Sequence, residues 1–339
     1  MRNEHKAIQI TRQVIEVHHR GGFEIRIWSS NSEDVLKSLQ DNGNVGSQKP
    51  VDFYSTEKIL DMSWDPHNDM FKFIVRFLKL TREVLAENAV PTKREVLQVL
   101  MSIFDPLGFL SCQTIGLKIH LQHIWWQNFE WDQELPERML EEWRQWKTIL
   151  QEIGTIEVPR CFAPATSEPG QVGLHTFFDA CEQAYSAVCY LRGATDDKVV
   201  MSLVIPKSKR APLKPLSIPR IELQAAVMGA RLDHMVMSTR NLRIDKATYW
   251  SDSKTVLQWL TMDPRNFHQF VMYRVAEILE TTLVKQWRWI SSKLNVADGA
   301  TKVTGQTQQE TWITGPEFLK TDASNWPTSK KQESIMGTS

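Results

Sequence analysis

The sequence lacks any apolar run approaching the ~20 residues that a membrane-spanning helix requires. Its opening residues, Met1 to Lys6, are polar and do not lead into an apolar signal segment. Neither membrane insertion nor secretion is expected, and the chain reads as intracellular, cytoplasmic or nuclear. Cysteine is scarce: Cys112, Cys161, Cys181 and Cys189 form no CxxC pair. That spacing gives no support to a zinc site and reads as reduced thiols. Charge of one sign is also missing. Forty basic residues balance forty acidic ones, so the chain has no overall basic excess with which to grip a polyanion, and a nucleic-acid partner would have to be held by a local patch.

What is plentiful is tryptophan, with thirteen in 339 residues. Trp125, Trp126, Trp287 and Trp289 could serve as core or as stacking platforms, and core is the expectation, since large aromatics are mostly buried for their area. The length suggests two or three units at roughly 100 to 200 residues per domain.

Apolar positions Ile10, Val14 and Val17 predict a helix over residues 8–19, stopped by Gly21-Gly22. Phe23, Ile25 and Ile27 alternate with Glu24 and Arg26, which predicts a half-buried strand. Residues 38–50 read as a loop. Strands are predicted over 58–64 and 70–77, joined by the turn-rich Asp65-Pro66-His67-Asn68-Asp69. This first unit is an α+β fragment. From Thr92 to Ile153 the period is helical, broken at Asp105-Pro106-Leu107-Gly108, with later helices over 115–129 and 139–153.

Beyond Gly170 the rhythm changes to strands, over 174–178, 184–191 and 199–205, whose short connections require an antiparallel meander. A helix over 219–240 follows, then a strand over 247–250, helices from Lys254 and Phe267, a strand over 286–290 and a short helix at Val296. This order predicts a mixed sheet with helices on its faces. The last thirty or so residues, rich in Gln, Thr, Ser and Lys, read as a poorly ordered tail.

Four acids fall at strand ends or helix starts. Asp179 ends the first strand of the meander, Glu222 lies in the first turn of the helix opened by Pro219, Asp252 follows the 247–250 strand, and Asp298 follows Asn295. Taken singly, each suits helix capping or the helix dipole. Together they are ordered so that one mixed layer can bring them to one cleft. Ala225, Ala226 and Gly229 lie three, four and seven residues after Glu222, a small-residue stripe that lets a helix approach a sheet closely. Converging carboxylates raise one another's pKa unless cations neutralise them. Mg²⁺ prefers oxygen ligands, and two such ions roughly 4 Å apart activate water for phosphodiester hydrolysis. The segment from Pro206 to Arg220 carries Lys207, Lys209, Arg210, Lys214 and Arg220 and no acid, a candidate phosphate contact if it is more than a solvated proline-rich loop.

Four strings carry a resemblance: Thr176-Phe-Phe-Asp-Ala180, Ile218-Pro-Arg-Ile-Glu-Leu-Gln-Ala-Ala226, Tyr249-Trp-Ser-Asp-Ser-Lys254 and Lys293-Leu-Asn-Val-Ala-Asp298. Together they resemble the ribonuclease H domain of long terminal repeat retrotransposon Pol polyproteins of the BEL/Pao type. Upstream, residues 21–31 and 58–64 resemble the end of that family's reverse transcriptase palm, and Thr92-Lys-Arg94 with residues 103–110 resemble its thumb-connection region. Residues 312–319 are similar to its stretch past ribonuclease H.

The resemblance implies an α/β, ribonuclease H-like mixed sheet over 170–303, preceded by a palm remnant over 1–82 and a helical thumb/connector over 83–160, with a partly disordered tail over 304–339. It implies that Asp179, Glu222, Asp252 and Asp298 bind two Mg²⁺ ions, with Mn²⁺ as a substitute, and cut the RNA strand of RNA/DNA hybrids. Other Pol polypeptides are implied as further partners. The family's Tyr-x-Asp-Asp polymerase turn is absent, so a truncated Pol fragment that does not polymerise DNA by itself is expected. Asp61, Ile27 and Cys112 stand where the family more often has glycine, lysine and proline. A catalytically silent nucleic-acid-binding module is the alternative. The connector type is also catalogued as a retrotransposon aspartic peptidase, but such an enzyme needs Asp-Thr-Gly or Asp-Ser-Gly loops. The nearest string, Ala297-Asp-Gly-Ala300, lacks the hydroxyl residue.

Overall fold

The computed structural model describes residues 2–25, 28–40, 57–59, 62–73, 82–86, 89–162, 171–195, 198–239, 242–302 and 306–328. The chain divides into two compact units, Met1–Ile74 with Glu157–Cys161, and Val75–Ile156 with Phe162–Ser339.

In the first unit, helix α1 (Arg2–Arg20) runs longer than its apolar pattern predicts and ends at Gly22, whose φ of 77° suits a residue without Cβ. A second helix, α2, spans Glu33–Gln40. The strand expected over 23–27 is not found in residues 23–25, and Phe23 is 70 % exposed. A strand needs a neighbour for its backbone groups, and among the described residues none pairs there. The single strand expected over 58–64 is instead a pair, β1 (Glu57–Ile59) and β2 (Met62–Asp65), antiparallel to each other. Strand β3 (Met70–Lys72) pairs with β2 through the expected turn, where the Asp65 carboxylate accepts from the backbone N–H of His67 and Asn68. The fourth strand, β4 (Glu157–Pro159), returns from far along the chain and pairs with β3, a long-range match that local pattern cannot announce. Arg160 grips Asp69 with two hydrogen bonds of 2.6 and 3.1 Å. The expectations at Ile27, Asp61, 41–50 and 74–77 lie outside the described residues.

The second unit opens with α3 (Lys93–Met101), started by a reciprocal cap in which Glu95 N–H donates to Thr92 Oγ1 and Thr92 N–H donates to the Glu95 carboxylate. Helices α4 (Ser111–Trp126) and α5 (Leu140–Ile153) follow. Ile115, Leu117 and Ile124 on successive sides of α4 are fully buried, so this helix is interior, as an apolar helix without a polar face must be.

The main sheet contains β5 (Gln171–Ala180), β6 (Ala184–Ala194), β7 (Val199–Arg210), β8 (Lys246–Ser251) and β9 (Trp287–Trp289), in the order β7-β6-β5-β8-β9. The first three form the expected antiparallel meander, and β8 and β9 run parallel to β5. The parallel strands require helical crossovers, supplied by α6 (Ile218–Met237) and then by α7 (Lys254–Leu260) with α8 (Gln269–Thr281). The α/β mixed sheet with flanking helices is therefore the fold of this unit. No helix among the described residues is long and apolar enough to cross a membrane.

Helix α6 lies very close to the sheet. A Cβ added to Gly229 would sit 3.2 Å from Thr176 Cγ2 and 3.3 Å from Phe178 Cδ1, and Ala225, Ala226 and Ala230 around it are buried. At this closest point Asp233 accepts hydrogen bonds from Thr176 Oγ1 at 3.0 Å and Tyr249 OH at 2.6 Å. Burial pushes its carboxyl upward.

The opposite face of the sheet is closed by segments outside the strand-helix core. Helix α4 packs along β7, and Gly108, at φ 82°, leaves no room for a side chain, since a Cβ there would stand 2.4 Å from the Pro206 carbonyl oxygen. From the C-terminal side, α9 (Gln306–Thr314) and two short 3₁₀ turns bring Trp312, Phe318, Leu319 and Trp326 over Phe177, Tyr190 and Trp250. Tyr190 OH donates to the Trp312 carbonyl and Arg192 to that of Leu319. Residues 306–328, expected as a tail, are thus packed structure. Their polar composition hides three anchors that bury large areas.

Because α6 has no space at its closest point, Gly229→Val should lower stability by ~1–3 kcal/mol. Urea unfolding would register this as a lower midpoint with an unchanged slope. An unaltered midpoint would show that the helix can move away freely.

Candidate active site

The parallel register of β5 and β8 pairs Phe177 with Trp250. Two residues further along each strand direction stand Asp179, the penultimate residue of β5, and Asp252, just past β8. The same end of the sheet thus receives both carboxylates. Asp179 is 7 % exposed and accepts from Thr301 Oγ1 at 2.7 Å. Its carboxyl is pushed up to about 7, first by burial and then by repulsion from Asp252 and Asp298, against the Thr301 hydrogen bond and the Lys302 charge. Asp252 accepts from Ser292 Oγ at 2.6 Å and from Asn295 Nδ2 at 3.4 Å. Asn295 also donates to the Phe178 carbonyl at 3.1 Å, and its side chain caps the 3₁₀ helix Val296–Ala300.

Glu222 comes from α6. The helix begins at Ile218, so Glu222 is its fifth residue and not in its first turn as expected. Its carboxylate accepts a short hydrogen bond from Ser253 Oγ, which also caps α7. Burial raises the Glu222 pKa, and the charge of Asp252 adds to the rise while the Ser253 bond opposes it. Asp298 lies in the 3₁₀ helix, which replaces the short helix expected at Val296, and is ion-paired with Lys302.

Asp252 and Asp298 lie close enough to act on the Asp179 charge, and Asp252 on that of Glu222, while Ser253, Ser292, Asn295 and Thr301 each donate to one of the carboxylates. Among the described residues, no three His, Cys, Asp or Glu side chains stand together as a ready metal-ligand group. These supporting donors were not singled out from the sequence. A local signal exists for Ser253, which stands at a helix start, and for the ion-pair partner Lys302, which lies four residues after Asp298, within reach on a helical turn.

The basic residues divide. Strand β7, two strand spacings or roughly 10 Å from β5, places Ser208 in the same cross-strand row as Ser186 and Asp179. Lys207 and Lys209 flank that row and are exposed on the α6 side, paired with Ala187 and Tyr185. Arg210 points to the other face, toward Lys118. The segment from Pro206 to Arg210 is strand and not loop, because its backbone continues the β6 ladder. Lys214 is exposed in the following loop. Arg220 lies over the Phe270 ring at 5.3 Å. Two residues along a helix turn by roughly 200°, so Arg220 leaves α6 on the side away from Glu222.

The tryptophans divide as well. Trp287 is buried as expected, but Trp125 and Trp126 are 40 % and 57 % exposed at the end of α4. The helix stops there at Gln127, and neither ring has a facing element to cover it fully.

No curated protein matches the chain significantly. Three solved structures illustrate its structural likenesses. The N-terminal RNase H domain of a Mycobacterium tuberculosis protein, solved as a maltose-binding-protein fusion, is 12% identical over 39% of this chain and 91% of its own, with a TM-score of 0.26. RNase H1 from the halophilic archaeon Halobacterium salinarum is 12% identical over 38% of this chain and 91% of its own, with a TM-score of 0.25. LC9-RNase H1, a type 1 RNase H with the type 2 active-site motif, is 13% identical over 50% of this chain and 82% of its own, with a TM-score of 0.27. The sequence match is more direct and begins at Thr92, the cap of α3: residues 92–253 match the family described as Pao retrotransposon-like RNaseH-like domain, so the chain carries a Pao-type retrotransposon RNase H-like region.

Proposed function

We propose that this chain is a retrotransposon-derived nuclease that hydrolyses the RNA strand of RNA/DNA hybrids, with Asp179, Glu222, Asp252 and Asp298 as its acidic centre. The observation that carries the reading is Asp179: a carboxyl buried at the end of the central strand, beside two further acids, with its pKa raised to about 7. A fold gains nothing in stability from such an arrangement, whereas a phosphodiesterase needs one. Residues 1–82 would be the remnant of a reverse transcriptase palm, 83–160 its thumb/connector, 170–303 the ribonuclease H-like domain and 304–339 the flanking stretch of a Pol polyprotein. RNA/DNA hybrid and other Pol polypeptides would be the partners.

The donor set suits hard divalent cations, Mg²⁺ or Mn²⁺, because it is all carboxylate oxygen and its mutual repulsion is what a cation relieves. The four acids would hold two such ions. When bound, the ions would supply Lewis-acid stabilisation of the phosphorane-like transition state and a lowered pKa for the attacking water. The chain's own residues set the conditions. Thr301 and Ser253 hold Asp179 and Glu222 by their hydroxyls, and Asn295 fixes Asp252 against the end of β5. Of the basic residues, Lys207, Lys209 and Lys214 would contact phosphates near the cut, whereas Arg210 and Arg220, turned to other sides, would meet phosphates further along the hybrid. In the reaction, water adds to phosphorus, the bond to the 3′ oxygen breaks, and the departing oxygen takes the proton.

A second reading has its own support. Lys302 already neutralises Asp298, and a chain in which that pair is permanent would bind hybrids without cutting them.

Purified protein with Mg²⁺ should cut a labelled hybrid, and Asp179→Asn or Asp252→Asn should slow cutting roughly a hundredfold or more, the several kcal/mol that metal-assisted charge stabilisation contributes. Hybrid binding with steep salt dependence but no Mg²⁺-dependent product would select the silent module instead.

Stability gives an independent check. The Asp179 pKa rises from 3.8 to about 7 in the folded chain, so the folded state holds a proton that the unfolded state releases. Its contribution is complete below the lower value and is lost as pH rises through the higher one. In EDTA, the native chain should lose stability between pH 4 and pH 7 relative to Asp179→Asn, by an amount on the order of a few kcal/mol. Parallel urea midpoints for the two proteins across that interval would count against a buried, repelled carboxyl.

A further inference from the structure

The exposed end of α4 borders a groove of about 550 Å³, whose other walls are the β5–β6 turn and the loop from Ala211 into α6. Volumes of this size are typical of sites for small organic groups. Trp126, more than half exposed, stacks with His123 at 6.3 Å between centroids and 22° between planes. The His123 ring is held from both sides, with Nδ1 3.4 Å from Glu142 Oε2 and Nε2 3.2 Å from the Gln183 amide. Two primary amides, Gln122 and Gln183, line the groove. The groove ends at Ile221, the neighbour of Glu222, and its hairpin wall begins just after the strand that carries Asp179.

Charge decides what such a groove takes. One wall is the loop from Ala211 to Ile218, in which Lys214 is exposed, with the exposed Arg210 just before it, so these two cations give the rim its attraction for a polyanion. Elsewhere in the lining, the Glu182 carboxylate repels phosphate while the aromatic pair offers a π face. Phosphate at the rim, a flat ring against Trp126 and amides that can bond its edge describe an unpaired nucleotide. Base stacking on an exposed aromatic is tolerant of sequence.

We infer that the groove binds the single-stranded overhang of a hybrid, with an unpaired base stacked on Trp126 and its backbone along the basic rim. This rests on the proposed hybrid-cutting centre, whose Glu222 adjoins Ile221 and whose Asp179 ends the strand before the hairpin wall.

The test uses the full chain in EDTA, with fluorescein-labelled hybrids that are either blunt or extended by a short oligouridine or oligothymidine overhang. Anisotropy should show about tenfold tighter binding of the overhung hybrids. Trp126→Ala should abolish that gain and Trp126→Phe should keep most of it, with blunt-hybrid affinity and Mg²⁺-dependent cutting of blunt hybrid unchanged. The RNA and DNA overhangs identify which strand is held. Equal binding of blunt and overhung hybrids by the native chain, or a gain that survives Trp126→Ala, overturns the inference. So does a dimer in sedimentation that Trp126→Ala dissociates, since a second copy would then fill the groove. A blunt hybrid that stays uncut while the overhang gain persists defeats only the nuclease reading, and cutting without any gain defeats only the groove.

Discussion

The arrangement depends on how closely α6 approaches β5 and β6. Gly229, with Ala225, Ala226 and Ala230 around it, lets the helix backbone come down onto Thr176, Phe178 and Ala187. The same contact fixes the height of Glu222, two turns earlier on that helix, relative to the ends of β5 and β8. A bulkier stripe would raise the helix by the thickness of a side chain and separate Glu222 from Asp252. Packing and chemistry here share one geometric cause, and the Asp233 triad with Thr176 and Tyr249 locks it with buried hydrogen bonds.

Around the acids the electrostatics are held short of collapse by neutral donors. Thr301, Ser253, Ser292 and Asn295 each give a hydrogen bond to a carboxylate, and among the described residues Lys302 brings a compensating charge, paired with Asp298 and felt by Asp179. Hydroxyl and amide groups orient an acid without neutralising it. The centre therefore retains the burial, and after it the repulsion, that raise Asp179 and Glu222, a cost that a bound cation would relieve.

Much of the second unit was legible in the sequence because its signals are local. The meander follows from three apolar runs with short links, the crossovers from parallel pairing, and the close helix from Ala225, Ala226 and Gly229. The acids were legible as a set because each ends a strand or stands near a helix start. Long-range matters were not. Strand β4 pairs with β3 across most of a helical connector, which no window of sequence contains. The polar stretch after residue 304 gave no periodicity, yet Trp312, Leu319 and Trp326 anchor it. Composition predicted burial for Trp125 and Trp126, but solvent reaches both because α4 ends beyond the sheet that covers its middle. Lys207 and Arg210 are three residues apart in a segment read as one patch, and the strand's alternation sends them to opposite faces.

The double cover on the second sheet face also sets an order of events during synthesis. Strand β7 receives α4 from earlier chain, but the rings that cover Phe177 and Trp250, Phe318 and Trp326, come later. A nascent chain that has emerged only through β9 would display a broad aromatic face to solvent. Completion awaits another forty or so residues, a matter of seconds at ordinary elongation rates. Over that interval the half-covered sheet is a natural client for a chaperone, and it is the stage at which this chain is most exposed to aggregation.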